Sequence, residues 1–189
     1  KIKSEFLPSF HANNKVTSKE GKGDYILYNG NLAISENYAA VIWLTNNVFN
    51  KINFPVKIAG LNPPNFLISE LKKHKHIELI ANPNDKTMNE LIENAQIHVL
   101  YTEQATGLKL KLINVLHNGR FVICNDKMLE GTGLKASDGL DICNSPQDFI
   151  SKIESLMQKD FTNELISERK SQLDKFSNQK NMEKLLGLL

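Results

Sequence analysis

Small and basic residues cluster in segment 102–118, which joins a short loop to an amphipathic stretch. The loop ends in Ala105, Thr106 and Gly107, whose small side chains let backbone N–H groups approach a ligand closely. The first turn of a helix presents unpaired N–H groups and a partial positive charge, and both suit a phosphate. The segment therefore predicts a phosphate-binding turn at the start of a helix.

The expected helix 108–118 is apolar on two sides, and a polar stripe separates them. The stripe follows the spacing i, i+4, i+7 and i+11 and consists of Gly107, Lys111, Asn114 and Asn118. A lysine between two packed sides needs an anion or an opening to solvent, because an unpaired buried ammonium is costly. A diphosphate would satisfy Lys111, and Asn114 would exchange hydrogen bonds with ribose hydroxyls. Taken alone, these residues fit a solvated polar stripe at least as well.

Four further residues are weaker candidates for ligand contacts. Lys109 lies on another helical face, where we expect it to be solvated, although its stem could reach a phosphate from the first turn. Gly30 and Asn31 form a tight turn after the first expected strand, and a glycine there allows close backbone approach. Glu130 would accept a hydrogen bond from a sugar or ribose hydroxyl, or is simply an acid in a glycine-rich turn.

Composition narrows the class of protein and its partners. The 189 residues are 41% hydrophobic and 23% charged, with a net charge of +2, and they suit one soluble domain. Lysine and glutamate are mixed throughout, so no concentrated basic face points to a nucleic acid. No apolar run reaches about 18 residues, the length that suggests a membrane span. Cys124 and Cys143 fit reduced structural residues of a cytoplasmic protein.

The sequence lacks the motifs of several kinds of metal, cofactor and catalytic site. It has no Cys-x-x-Cys, no helical i, i+4 histidine pair and no Asp-x-Asp, so we expect no metal site. It also lacks the three spaced glycines of a dinucleotide site, a Walker-type Gly-Lys-Ser/Thr and a Gly-x-Ser-x-Gly elbow. We therefore expect no cofactor, and lysines with backbone N–H groups would neutralise a bound diphosphate. Catalytic residues stay unassigned.

Short β-rich runs alternate with helical stretches from residue 24 onward, after a polar linker at 1–23. Expected strands are 25–28, 54–60, 77–80, 97–101, 121–124 and 140–143. Expected helices cover 35–50, a stretch from 63, 84–94, 108–118, 146–157 and the charged tail 161–189. The alternation predicts an α/β fold of three α/β/α layers with a parallel sheet of about six strands. Such sheets bind ligands at the carboxyl ends of their strands, which here precede the loops after Tyr28, Ile80 and Tyr101.

The segment 105–119, ATGLKLKLINVLHNG, resembles the Gly-Gly-Gly-Thr-Arg-x-Lys-(Ile/Leu)-Leu-Glu-Ala-Met-Ala-x-Gly stretch of group 1 retaining glycosyltransferases. Residues 28–44, which contain YNGNL, EN and WL in that order, are similar to the family's Gly-Ser-Leu, Pro-Asn and Trp-Phe opening. Residues 58–63, IAGLNP, resemble its Val-x-Gly-x-Asn-Pro segment. The matches keep the family's order and extend over about residues 24–158.

This resemblance implies a Rossmann-like C-terminal domain of a GT-B enzyme, here residues 24–189, that binds a UDP- or GDP-sugar donor. It implies that Thr106, Gly107 and Lys111 hold the diphosphate. The position of Asn114, an acid in the family, would hold ribose. The family's acceptor-binding N-terminal domain has no counterpart in this sequence, which begins without an initiator Met and is expected to be a piece of a longer protein.

The full enzyme would be a cytoplasmic bacterial protein of polysaccharide biosynthesis. It would transfer a hexose, with retention, to an acceptor such as a polysaccharide or a lipid-linked glycan. Any peripheral membrane association would come through the full-length enzyme, and this piece alone is expected to be inactive.

The chain departs from the family pattern at two places, and the departures leave alternatives open. In the family's Glu-x7-Glu motif, Thr106 takes the first position and Asn114 the second. Asn31 and the pair at 36–37 replace basic residues that many relatives place after the first strand. A non-catalytic nucleotide-binding module is therefore one alternative. A nucleotide-sugar epimerase-like domain is another, although no clear histidine or carboxylate pair is found for its acid–base chemistry.

Overall fold

Within residues 7–104 and 108–187, which the computed structural model describes, six strands form one parallel sheet. The strands are β1 (Ile26–Asn31), β2 (Val56–Leu61), β3 (Ile77–Ala81), β4 (Ile97–Leu100), β5 (Phe121–Cys124) and β6 (Leu140–Ile142). The helices are α1 (Ser35–Asn47), α2 (Asn65–Leu71), α3 (Asp85–Asn94), α4 (Leu110–Asn118), α5 (Asp126–Leu129), α6 (Pro146–Leu156), α7 (Asn163–Leu173) and α8 (Asn178–Leu186). The predicted α/β fold with a parallel sheet is confirmed.

The strand order is β3-β2-β1-β4-β5-β6, so the direction of strand addition reverses between β1 and β4. These two strands pair only near their amino ends, where Ile26 lies opposite Ile97 and Leu27 opposite His98. Beyond that point the chain of β1 leads into α1 and that of β4 leads toward α4. A crevice at the carboxyl ends of β1 and β4 follows from this order, and it is the usual ligand position in such sheets.

Both faces of the sheet are buried, which explains why its strands read as nearly continuous apolar runs. Ile26 and Tyr28 of β1 pack into one core, together with Leu44 of α1 and Phe149 of α6. Leu27 belongs to the opposite core, which α3, α4 and the 3₁₀ turn after α7 help to form. The side chains of β1 thus alternate between two helical layers, and this alternation fixes the direction in which its final residues point.

Several boundaries differ from those that the sequence predicts. Helix α1 ends at Asn47, and 49–51 forms a separate 3₁₀ turn. Helix α4 begins at Leu110, two positions later than expected, because Lys109 has the extended backbone of an N-cap. The expectation that both apolar sides of this helix are packed is wrong at Leu110, which is 48% exposed. The charged tail divides into α7 and α8.

The first described residues, 7–23, run along the domain and hydrogen-bond to it at several points. The amide of Thr17 donates to the carbonyl of His117 at 2.7 Å, and the amide of Gly23 donates to Oε1 of Gln96 at 2.7 Å. The two cysteines are buried free thiols, as the sequence indicates. No helix among the described residues combines the length and apolar character that crossing a membrane requires.

Candidate functional site

The candidate site is the crevice between the carboxyl ends of β1 and β4, and the first turns of α1 and α4 line it. The turn after β1 is shaped by Asn31, whose Oδ1 accepts a hydrogen bond from the amide of Ala33 at 3.1 Å. Gly30 precedes it, and a Cβ on Gly30 would lie 3.3 Å from the side chain of Asn37. Gly30 and Asn31 lie at the crevice as the last two residues of β1. The expected tight turn at these two residues is therefore wrong, because the strand extends to Asn31 and the turn follows it.

Lys111 reaches into this crevice from the first turn of α4. Its side chain is half-buried, Nζ donates to Oδ1 of Asn37 at 2.9 Å, and the ammonium lies 5.3 Å from the ring centre of Tyr28. The pKa of Lys111 is lowered to about 8, chiefly by burial. The charge of Glu36 acts to raise this pKa, and the charge of Lys109 acts to lower it. The ammonium therefore has a neutral amide as its hydrogen-bond partner.

Asn37 joins the two walls of the crevice, and the sequence did not single it out as a ligand-binding residue. Its Oδ1 accepts from Lys111, while its Nδ2 donates to the backbone carbonyl of Asn31 at 2.9 Å. The hydroxyl of Tyr28 also donates to the backbone carbonyl of Asn37, at 3.2 Å. The sequence signals for Asn37 were its place in the resemblance to the family's Pro-Asn pair and its place in the pair at 36–37 that replaces basic residues of many relatives.

Lys109 forms an ion pair with Glu36 across the same crevice. Its Nζ lies 3.0 Å from Oε1 of Glu36, and the two side chains are 12% and 20% exposed. The same carboxylate oxygen accepts a hydrogen bond from the hydroxyl of Thr102, in the loop after β4. The expectation that Lys109 is solvated is wrong, because the helix begins after it and its side chain turns toward α1.

The charge state of Glu36 follows from these contacts. Burial by itself would raise the pKa of its carboxyl. Hydrogen bonds from Thr102 and Lys109, together with the charges of Lys109 and Lys111, outweigh burial and hold the pKa below its ordinary value. Glu36 is therefore ionised at neutral pH, and it compensates part of the positive charge of the two lysines.

Asn114 and Asn118 continue the polar stripe of α4 away from the crevice. Nδ2 of Asn118 donates to Oδ1 of Asn114 at 3.0 Å and to Oδ1 of Asn13 at 2.8 Å. The hydroxyl of Thr17 donates to Oδ1 of Asn118 at 2.7 Å, so the N-terminal segment partly covers the lower end of the stripe. Asn114 is half-buried, and its Nδ2 has no hydrogen-bond partner among the described residues.

Three other predicted positions do not add to the described crevice. Thr106 and Gly107 lie outside the residues that the structure describes. Glu130 follows α5 and is exposed, beside a cavity of about 410 Å³ that Lys135 and Ile142 also line. No hydrogen bond or ion pair joins Glu130 to Lys109 or to any other described residue of the crevice.

A second cavity, of about 370 Å³, opens beside Glu36 between α1 and the loop after β4. Its wall is largely apolar and includes Ala40 and Trp43, whose indole stacks on the ring of Tyr101 with 4.1 Å between ring centres. Among the residues that the structure describes, no group of three or more histidine, cysteine or acidic side chains could hold a metal ion. Lys109, Lys111 and Glu36 are charged groups at the crevice, and Glu103 also lines this second cavity.

The fold of the chain superimposes on solved glycosyltransferase structures. A mutant of S. aureus TarM in complex with fondaparinux, alpha-GlcNAc-glycerol and UDP superimposes with a TM-score of 0.72 at 18% identity, over 96% of this chain and 38% of that one. A glycosyltransferase from Rickettsia africae gives a TM-score of 0.65 at 16% identity, over 88% of this chain and 47% of that one. The chain has the Rossmann-like fold of a GT-B glycosyltransferase domain.

Comparison of sequences adds one curated relative. The chain is 29% identical over 130 residues, 63% of its length, to an uncharacterized 44.6 kDa protein in the cps region of Klebsiella pneumoniae. The chain spans 33% of that protein's length. No family model matches the chain.

Proposed function

We propose that this chain is the donor-binding domain of a glycosyltransferase and that it binds a UDP- or GDP-sugar at the crevice between β1 and β4. The observation that carries the proposal is the half-buried ammonium of Lys111, which meets a neutral amide at the start of α4. A buried cation without a directly bonded carboxylate is costly for a fold to maintain, unless an anionic ligand uses it.

The diphosphate would lie against the first turn of α4, within reach of Lys111 and Lys109. Both ammonium groups already lie at the crevice, and the helix start adds its partial positive charge. Thr106 and Gly107 would contribute backbone N–H groups from the preceding loop, as the resemblance implies. No metal ion is proposed, because two lysines and the helix start supply the positive charge that a diphosphate needs.

The nucleoside and the sugar would contact other groups around Lys109 and Lys111. Asn114 has an unused amide nitrogen one turn beyond Lys111, which suits a ribose hydroxyl. Gly30 and Asn31 would approach the phosphates with their backbone from the β1 side. Glu130 stays a proposed hydrogen-bond acceptor for a sugar or ribose hydroxyl, and reaching the ligand would require the loop after α5 to approach the crevice.

Transfer itself would need more than this domain. The chain corresponds to 38% of the TarM chain, which supports a longer protein whose other part binds the acceptor. We propose that this longer protein is a cytoplasmic enzyme that transfers a hexose with retention, to a polysaccharide or a lipid-linked glycan. The domain alone would bind donor without transferring sugar.

A non-catalytic nucleotide-binding module is the second candidate. Two observations favour it: Asn114 replaces an acid of the family pattern, and Glu36 neutralises one of the two lysines that would serve the diphosphate. Both candidates require nucleotide binding at the same crevice. Product analysis with the full-length protein and an acceptor separates them, because only the enzyme releases nucleoside diphosphate in proportion to transferred sugar.

Isothermal titration calorimetry with UDP, GDP and their hexose conjugates tests the shared step. We expect one of the two nucleotide series to bind and Lys111→Ala to weaken that binding by about 1.5–3 kcal/mol, the range for a charge-assisted hydrogen bond. Lys72→Ala, which removes an exposed lysine after α2, is the matched control and should leave the affinity unchanged. Absence of binding by every compound at millimolar concentration would refute the proposal.

A further inference from the structure

Among the described residues, Glu36 provides the one carboxylate that contacts the lysines of the crevice. Its Oε1 is 3.0 Å from Nζ of Lys109, with both side chains largely withdrawn from solvent. Thr102 donates to the same oxygen from the loop after β4. Three segments, namely α1, the loop after β4 and the start of α4, therefore hold a negative charge where the proposed diphosphate would meet its cations.

We propose that Glu36 is an internal competitor for the diphosphate and that it favours departure of the nucleoside diphosphate product over departure of the donor. The proposal rests on the proposed function, because it concerns the same crevice. A diphosphate that binds Lys109 either breaks the ion pair between Lys109 and Glu36 or lies close to the carboxylate of Glu36. In both cases Glu36 weakens binding, and the two negative charges interact strongly because the crevice is partly buried.

Product and donor differ in charge, so Glu36 acts on them unequally. In a nucleoside diphosphate the terminal phosphate carries a second negative charge at neutral pH, since such groups titrate near about pH 6. In a nucleotide sugar the ester to the sugar removes that titrating oxygen. The carboxylate of Glu36 therefore repels the product more strongly than the donor. This difference favours release of the product after transfer.

Two other roles for Glu36 predict the opposite result. If the carboxylate oriented Lys109 toward the ligand, loss of its charge would weaken binding of donor and product. If it accepted a hydrogen bond from a ribose or sugar hydroxyl, its loss would weaken the binding of any ligand that carries that hydroxyl. The sign of the change in affinity therefore distinguishes competition from positioning and from direct recognition.

The experiment is calorimetric titration of UDP and UDP-glucose, or GDP and GDP-mannose if that series binds, into wild type and Glu36→Gln. We expect the variant to bind the nucleoside diphosphate roughly tenfold more tightly, equivalent to about 1.4 kcal/mol, and the nucleotide sugar with a smaller gain. Glu36→Ala removes the same charge without the amide and should change the affinities in the same direction.

Glu70→Gln is the matched control, because Glu70 also pairs with a lysine, Lys73, but on the exposed surface of α2. It should leave both affinities unchanged, and circular dichroism should show that all variants are folded. Unchanged or weaker binding of the nucleoside diphosphate by folded Glu36→Gln would overturn the proposal. Failure of the proposed function gives a different result, in which neither wild type nor any variant binds either compound.

Discussion

The ammonium of Lys111 donates a hydrogen bond to Oδ1 of Asn37 and thereby links the first turn of α4 to the first turn of α1. The bond is 2.9 Å long and crosses the point where the strand order of the sheet reverses. Because the partner is an uncharged amide, the charge of Lys111 is only partly compensated within the protein. Burial of this ammonium lowers the pKa of Lys111, and several of the predictions below depend on that lowered pKa and on the hydrogen bond to Asn37.

Replacing Lys111 with methionine should stabilise the ligand-free protein. Burial lowers the pKa of Lys111 from its ordinary value of 10.5 to about 8, so at pH 7 folding must bury a charge that the unfolded chain keeps in water. Methionine preserves the length of the stem and removes that charge. Urea denaturation at pH 7 should show a gain of about 1–2 kcal/mol in the free energy of unfolding. A loss of stability would show that the hydrogen bond to Asn37 outweighs burial of the charge.

The lowered pKa of Lys111 also predicts how nucleotide binding depends on pH. The side chain of Lys111 is charged well below its pKa of about 8 and loses its proton as the pH rises through that value. Affinity for a nucleoside diphosphate should therefore fall by about tenfold between ~pH 7 and ~pH 9, as one proton is lost from the free protein. Calorimetric titrations of the nucleoside diphosphate into wild type and Lys111→Met across this pH range measure the change in affinity. An equal decline in both proteins would assign the pH dependence to another group.

Gly60 holds the end of β1 in place because it has no side chain. It lies opposite Gly30 in the parallel pairing of β1 and β2, and a Cβ on Gly60 would be 1.9 Å from the carbonyl oxygen of Gly30. Gly60→Ala should therefore displace the backbone of β1 at Gly30, lower the free energy of unfolding by about 2–4 kcal/mol and weaken nucleotide binding. Gly187→Ala, whose Cβ meets nothing closer than 3.5 Å, is the control for chemical denaturation. Equal stability of the two variants would contradict this prediction.

Arg169 links α7 to the sheet through hydrogen bonds to backbone carbonyls, and none of its hydrogen-bond partners is an acidic side chain. It is 2% exposed and donates to the carbonyl oxygens of Gly119 at 2.7 Å, Arg120 at 2.6 Å and Gly139 at 2.8 Å. Arg169→Met should leave these acceptors without a donor and cost about 3–5 kcal/mol of stability. Lys170→Met on the exposed side of α7 should have little effect in the same thermal and urea measurements. Similar losses in the two variants would mean that the helix, rather than Arg169, is responsible.

Much of the fold could be predicted from the sequence because it depends on local patterns. The β-rich runs and the helices between them indicate a parallel sheet before any coordinates are known, and its carboxyl edge is where such folds bind ligands. The position of Lys111 on α4 also follows from helical periodicity. Sequence patterns therefore predict which face of a helix a residue lies on and which edge of the sheet binds ligands.

The contacts that define the charge of the crevice could not be predicted in this way. Lys109 and Glu36 are 73 positions apart, and their pairing depends on the angle between α1 and α4 and on the start of α4. A helix that began at residue 108, as periodicity suggests, would have placed Lys109 on a solvated face. Asn37 likewise has its role only because β1 and β4 are neighbours in the sheet.

Crystallisation of the domain with UDP or GDP is the most direct test of the central claim. The proposed function predicts a diphosphate at the first turn of α4, with a phosphate oxygen within hydrogen-bond distance of Nζ of Lys111, in place of or beside its contact with Asn37. A nucleotide bound elsewhere on the domain, with the Lys111–Asn37 hydrogen bond unchanged and the crevice unoccupied, would contradict it.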